Sequence, residues 1–263
     1  MKGLVLILIA FILLSILYYM NREAFRNQVV EKELYYEDFP PSYGELRIFF
    51  ITDVHRRMID EEVISQVKGR ADFVLIGGDL TEQGVPYSRT FENLRRLSQI
   101  GKIIFIWGNN DYEVNQNELR KMIAEHGGII LDNDLLDIHA PTGEKIQIVG
   151  INEIAFGLDR LDLALEKTNP DAFKIVLCHN PKIFRQIKEE DRVQLVLSGH
   201  THGGQINFFG LGLYPVGKHY RTRKGDLLIS NGYGTTKLPL RLGAKAETHL
   251  LTIKHGKTDN QTF

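Results

Sequence analysis

Residues 193–204 read VQLVLSGHTHGG, a largely aliphatic run that breaks at Gly199 and is followed by His200 and His202. Its first five residues have the near-continuous apolar character of a strand covered on both faces. Four runs upstream share this form. Residues 46–52 lead into Asp53-Val54-His55, 73–76 into Gly77-Gly78-Asp79, 103–107 into Gly108-Asn109-Asn110-Asp111, and 173–178 into His179-Asn180. A sixth run, 146–151, ends at Asn152-Glu153. Helical stretches separate several of them. Ile59, Val63, Ile64 and Val67 share one face, Tyr87, Phe91 and Leu94 another, and Leu119, Met122 and Ile123 mark a third helix closed by Gly127. This alternation predicts a layered α/β domain whose post-strand loops lie along one crevice.

Seven oxygen and nitrogen donors occupy those loops: Asp53, His55, Asp79, Asn109, His179, His200 and His202. Taken singly, each has an ordinary structural reading, such as a helix cap for Asp or Asn. Together, each at a strand end, they predict a dinuclear metal site. In extended chain, residues i and i+2 point the same way, so Asp53 and His55 can serve one centre. Two ions ~3.5–4 Å apart need a bridging carboxylate and about three further ligands each. Carboxylate, amide and imidazole donors without thiolate suit Mn, Fe or Zn. Cys178, the single cysteine, faces away from His179 in a strand and reads as a small buried hydrophobe.

The chain of 263 residues carries 32 Lys+Arg against 33 Asp+Glu, a net charge of −1. That balance argues against a protein that coats nucleic acid, where affinity comes mainly from phosphate neutralisation. Residues 3–20 hold no charge, long enough as a helix to cross a bilayer's hydrocarbon layer, and Tyr18-Tyr19 sit where interfacial aromatics belong. No small-residue cleavage pattern follows them. The expected organisation is a transmembrane anchor over 1–21, a juxtamembrane linker or edge strand over 22–44, the catalytic domain over 45–255 and a tail over 256–263. The localisation is then a cell membrane, with the side of the domain left open by the weak charge asymmetry.

The five motif blocks, Asp53-x-His55, Gly78-Asp79, Gly108-Asn109-x-Asp111, His179 and Gly199-His200-Thr201-His202, together resemble the calcineurin-like metallophosphoesterase superfamily. Gly203-Gly204-Gln205 and the 237–241 segment KLPLR are similar to its membrane-associated branch. The resemblance implies a β-sandwich flanked by helices. It also implies Asp53, His55 and His202 on one metal, Asn109, His179 and His200 on the other, and Asp79 bridging. The implied reaction is hydrolysis of a phosphoester or pyrophosphate, in some relatives of a lipid-linked or nucleotide-linked compound such as a UDP-diacylglucosamine. The phosphate-bearing substrate is thus a small molecule or lipid. In the family's pattern a His that assists the leaving group stands where this chain has Asn110, which can donate a hydrogen bond but is no general acid. Asp111 and Arg56 are the candidates to compensate.

A basic run, Lys218, His219, Arg221, Arg223 and Lys224, with Lys237, Arg241 and Lys245 beyond, reads either as solvated loop charge or as a rim attracting an anionic substrate. Asn152-Glu153 is a further candidate to approach substrate, whereas His126, His139, His249 and His255 receive no role. Two alternatives to the membrane phosphohydrolase are a nuclease of the same superfamily and a membrane scaffold that binds metal without turnover.

Overall fold

The computed structural model describes residues 2–208, 212 and 214–257. Most of the expected tail, residues 258–263, lies outside the described residues. An apolar helix α1 (Lys2–Ala24) comes first, followed by an edge strand β1 (Val29–Tyr36). Then follow β2 (Glu45–Ile51), α2 (Glu61–Val67), β3 (Phe73–Ile76), α3 (Tyr87–Leu97), β4 (Lys102–Phe105), α4 (Gln116–Glu125), β5 (Ile129–Ile130), β6 (Asp134–His139) and β7 (Lys145–Ile151). The remainder is α5 (Leu161–Glu166), β8 (Phe173–Cys178), β9 (Leu195–Ser198), β10 (His219–Thr222), β11 (Gly225–Ile229) and β12 (Thr248–His255).

The strands form two six-stranded sheets, ordered β1-β12-β2-β3-β4-β5 and β10-β11-β9-β8-β7-β6. Side-chain alternation splits each strand between two cores. From β2, Ile48 and Phe50 meet Ile146, Ile148, Ile175 and Leu197 between the sheets. Phe49 and Ile51 point outward under α2, α3 and α4, with Val63, Leu94, Leu119 and Ile123. On the other outer face Val149, Val176 and Cys178 pack against Leu161, Ile183 and Ile187. The result is the expected β-sandwich flanked by helices. β2, β3 and β4 run parallel, as do β7, β8, β9 and β11, so the C-terminal ends of the ligand-bearing strands share one edge.

The third-helix reading holds, with Leu119, Met122 and Ile123 buried and Gly127 at φ +69° ending α4. For α3 the buried face is different from the one expected. Tyr87 and Phe91 are exposed, and Thr90, Asn93, Leu94 and Leu97 face inward. The reason is polar: Asn93 accepts from Ile59 N–H at 2.8 Å and donates to Arg57 O at 3.0 Å.

α1 spans 23 residues, about 34 Å at 1.5 Å per residue, and leaves its apolar side chains outward; only Met20 and Ala24 are buried. Its C-terminal end is docked on the domain. Arg241 N–H donates to Met20 O at 3.0 Å, and the Arg57 guanidinium donates to Ala24 O, Phe25 O and Arg26 O at 3.2, 2.8 and 3.1 Å. A cation at these carbonyls complements the negative end of the helix dipole.

His249 on β12 is buried beside Phe50, with ring centroids 6.0 Å apart. Burial, with the nearby Lys32 charge, pushes its pKa down to about 3. Its folded-state value thus lies below the unfolded value of about 6.5, so the unfolded chain takes up a proton first and stability falls as pH drops through that range. Between pH 7.5 and 5.5 the metal-free protein should lose about 1.4 kcal/mol more than His249→Phe does. Thermal unfolding followed by the single tryptophan, Trp107, measures the difference.

Candidate metal centre

Asp53 and His55 follow β2, Asp79 follows β3, Asn109 follows β4, His179 follows β8, and His200 and His202 follow β9. The loops are stitched together by main-chain bonds: Asp53 N–H to Gly78 O at 3.1 Å, Val54 N–H to Asp79 O at 2.8 Å, and Gly199 N–H to His179 O at 2.9 Å. Five of these residues, Asp53, His55, Asp79, His200 and His202, have φ between 50° and 69°. Non-glycine residues seldom adopt that region, and such strain concentrates at functional sites. Gly199 must be glycine, because a Cβ there would sit 2.2 Å from Asp53 Oδ2.

The structure brings the donors together. His202 Nε2 lies 3.2 Å from Asp53 Oδ1 and 3.1 Å from His55 Nε2. His179 Nε2 lies 3.2 Å from Asp79 Oδ2 and 3.2 Å from His200 Nδ1. Asp79 Oδ2 is also 3.7 Å from His55 Nε2, so this carboxylate stands between the two groups. One group able to hold an ion is Asp53, His55 and His202; the other is Asp53, Asp79 and His179. Asp53 therefore reaches both groups, whereas the resemblance implies that role for Asp79 alone.

The donor set fits two divalent ions on three counts. Ligand atoms about 2.1 Å from a common ion are roughly 3.0–3.4 Å apart at octahedral or tetrahedral angles. This is the spacing of His202 from Asp53 and His55 and of His179 from Asp79 and His200, with His55 somewhat wider from Asp53 at 3.9 Å. His179 Nδ1 faces Gly77 O at 2.8 Å, so it must carry the proton and Nε2 presents its lone pair to the centre. Asn109 Oδ1 is buried without a hydrogen-bond partner, a costly position unless a ligand meets it. Burial opposes ionisation of Asp53, but His202, His179 and His55 hold its carboxyl well below the usual range. Burial and the facing His179 push His200 down to about 4.

The three other candidates, Asn110, Asp111 and Arg56, have different surroundings. Asn110 N–H donates to Asp79 Oδ1 at 2.8 Å, and its side-chain oxygen accepts from Asn109 Nδ2 at 3.0 Å. It thereby turns the Asn109 amide so that Oδ1 faces inward. Asp111 is fully buried and accepts from the N–H groups of Asp79, Gly108 and Thr81 at 2.8, 2.9 and 3.1 Å. A carboxylate so enclosed ties two loops together and does not reach a leaving group, which corrects the expected catalytic role. Arg56 is 60% exposed and paired with Glu82.

Glu82 went unread in the sequence. Its Oε2 lies 2.9 Å from His55 Nδ1, fixing the ring so that Nε2 points at the centre. A carboxylate behind a metal-binding His is a recurrent arrangement, and Glu82 follows Asp79 by three residues, but nothing in the sequence pairs it with His55. The basic rim also needs correction. Arg241 is fully buried and its guanidinium donates to the carbonyls of His202, Asn231, Gly234 and Ala244 at 3.2, 2.6, 2.6 and 3.0 Å. Arg223 and Lys224 lie in the β10–β11 turn, at the opposite end of the sheet from His200, because Asp226 pairs with Leu195 and Ile229 with Ser198. Glu153 is fully buried with Oε1 accepting from Ala155 N–H at 2.7 Å, and Asn152 is held by Tyr112 and Asp132.

A two-sheet α/β fold with paired Asp/His donor groups at one strand edge defines a metallohydrolase architecture. The family model for calcineurin-like phosphoesterases matches residues 46–204, and the chain belongs to that family. It is 46% identical over 210 residues to the uncharacterised protein YpbG of Bacillus subtilis, covering 79% of this chain and 81% of that one. An uncharacterised metallophosphoesterase of Helicobacter pylori is 30% identical over 227 residues, 80% of this chain and 60% of its own length. A transmembrane protein with metallophosphoesterase domain from Danio rerio is 28% identical over 256 residues, 86% of this chain and 57% of that protein. Among solved structures, the sulfate thiohydrolase SoxB from Thermus thermophilus shares the fold at TM-score 0.53 and 15% identity, covering 82% of this chain and 57% of its own. The chain spans little more than half the length of several of these proteins. It is a metal-dependent phosphoesterase with two divalent ions as cofactor.

Glu82→Gln keeps shape but weakens the hold on His55. Metal affinity should fall about 10–100-fold, as titration calorimetry on the apo protein would show, with the fold unchanged.

Proposed function

We propose that this protein is a membrane-anchored hydrolase of phosphoester or pyrophosphate bonds in a lipid-linked or nucleotide-linked substrate. The observation that carries the reading is the pair of donor groups sharing Asp53 beside Asp79. Asp53, His55 and His202 hold one ion, Asn109, His179 and His200 the other, and Asp79 lies between. Two such ions supply charge for the phosphoryl oxygens and lower the pKa of water, to as little as ~7 in favourable zinc sites. The chain's own residues do the positioning. Glu82 orients His55, Gly77 O orients His179, and Asn110 orients Asn109, so the site is organised before substrate arrives. Ser198 is buried within β9 and offers no nucleophile.

The anchor is α1, and the residues after it enter the catalytic domain through edge strand β1, which pairs with β12. The exposed apolar length of α1 supports this reading, as does the likeness to transmembrane relatives. Bis(p-nitrophenyl) phosphate tests the chemistry. Metal-loaded protein should hydrolyse it, chelator should abolish turnover, and Asp79→Asn should lower kcat at least 100-fold; persistent turnover in that variant would overturn the assignment.

Asn110 sets the leaving-group preference. With no imidazole at that position to protonate a departing alkoxide, alkyl esters should lose roughly 10²–10⁴-fold of rate relative to an enzyme with a general acid, and aryl esters much less. Asn110→His should raise the rate on octyl phosphate more than on p-nitrophenyl phosphate. Equal gains on both would count against this account.

A further inference from the structure

A groove of about 180 Å³ lies between the end of α1 and residues 234–239. Phe25 and Pro239 form its walls, Gly234 and Thr235 its floor, and Arg56 and Lys237 its charged margin. The floor packs on the backbone of the loop that carries Asp53 and His55. Gly234 N–H donates to Asp53 O at 2.6 Å, and a Cβ at Gly234 would stand 2.2 Å from Val54 O. Arg56 directly follows His55.

Three observations specify what fits there. Phe25, which directly follows α1, is 52% exposed, and Leu238 is 65% exposed next to Pro239, whose carbonyl accepts from the Asn21 side chain of α1. The third apolar wall, Ala24, is the last residue of that helix. Charge complements it: Lys237 has no ion-pair partner among the described residues. It is held at φ +59° between Thr236 and Leu238, whose backbones are clamped by the Gln205 side chain. Arg56 is paired with Glu82 and Arg57 is spent on the carbonyls at the end of α1, so the free charge at this groove is that of Lys237.

We propose that this groove receives the alkyl chain of a phosphate-bearing membrane lipid, leading its head group from the bilayer around α1 toward the metal centre, with Lys237 meeting the phosphate. This rests on the phosphohydrolase reading and names its substrate class. The groove takes roughly six methylene-sized groups, counting ~30 Å³ for each as for a water. Affinity for alkyl phosphates should therefore climb with chain length up to about that number, by up to about fourfold for each buried methylene.

The test needs no turnover. Cys178 is fully buried, so a cysteine introduced at half-buried Thr235 is the thiol that a maleimide reaches in the full chain in lipid nanodiscs. Octylphosphonate, whose P–C bond is inert to hydrolysis, should slow labelling of Thr235→Cys at least tenfold, butylphosphonate less, and methylphosphonate hardly at all. A cysteine at exposed Glu166 should label at one rate throughout. Labelling at position 235 that ignores chain length overturns the proposal, whether the groove stays open or is covered by a second copy of the chain. Equal slowing at position 166 overturns it too, because that is partition of the probe into the disc. Protection at 235 without any phosphoester hydrolysis would sink the enzymatic reading and leave the groove in place.

Discussion

The Asp53 carboxylate is fixed before any ion arrives. It accepts from Thr52 Oγ1 at 2.8 Å and from His200 N–H, whose distance to each oxygen is 3.1 Å. Its carbonyl accepts from Gly234 N–H. One residue thus fastens the loop after β2 to the loop after β9 and to the segment behind β11, drawing both sheets to a common point. The left-handed backbone at five donors follows from that convergence, since each loop must turn sharply to aim a side chain back across the strand ends. Energy stored in those turns is recovered from the cores on either side of each sheet.

Much of this was legible in the sequence because the information is local. An aliphatic run followed by glycine and a donor states a strand, its end and the chemistry placed there, and Asp53, His55, Asp79, His179, His200 and His202 lie within contact of one another in the structure. What was illegible depends on contacts between distant segments. Glu82 matters because the chain reverses to bring it against His55. Arg241 reads as surface charge until its carbonyl partners are known, and Asp111 reads as a catalytic acid until the three amides around it are seen. On α3, polar Asn93 displaces aromatic Phe91 from the inner face because two backbone groups near Arg57 need partners, a demand no hydrophobic pattern records.

The positions of charge separate two kinds of basic residue that look alike in the sequence. Arg57 and Arg241 are buried and work as multidentate donors, joining α1 to the loops of the metal centre. Such pairing suits a planar guanidinium and would be lost with lysine. Helix and centre are in this way one mechanical unit: the same Arg241 that approaches His202 Nδ1 at 3.3 Å sends its own N–H to Met20 O.

The order of strands in the first sheet has a bearing on how the protein is made. β12, from the last described stretch of chain, is inserted between β1 and β2, parallel to one and antiparallel to the other. While the polypeptide is still emerging from the ribosome, β1 has no neighbour to bond with, and the inner side of β2 offers a bare row of amides and carbonyls. The second sheet can close from residues 134–229 as they appear, whereas the first must wait for β12. A nascent chain of this topology therefore carries an open template for mispairing until β12 has emerged and filled the gap between β1 and β2.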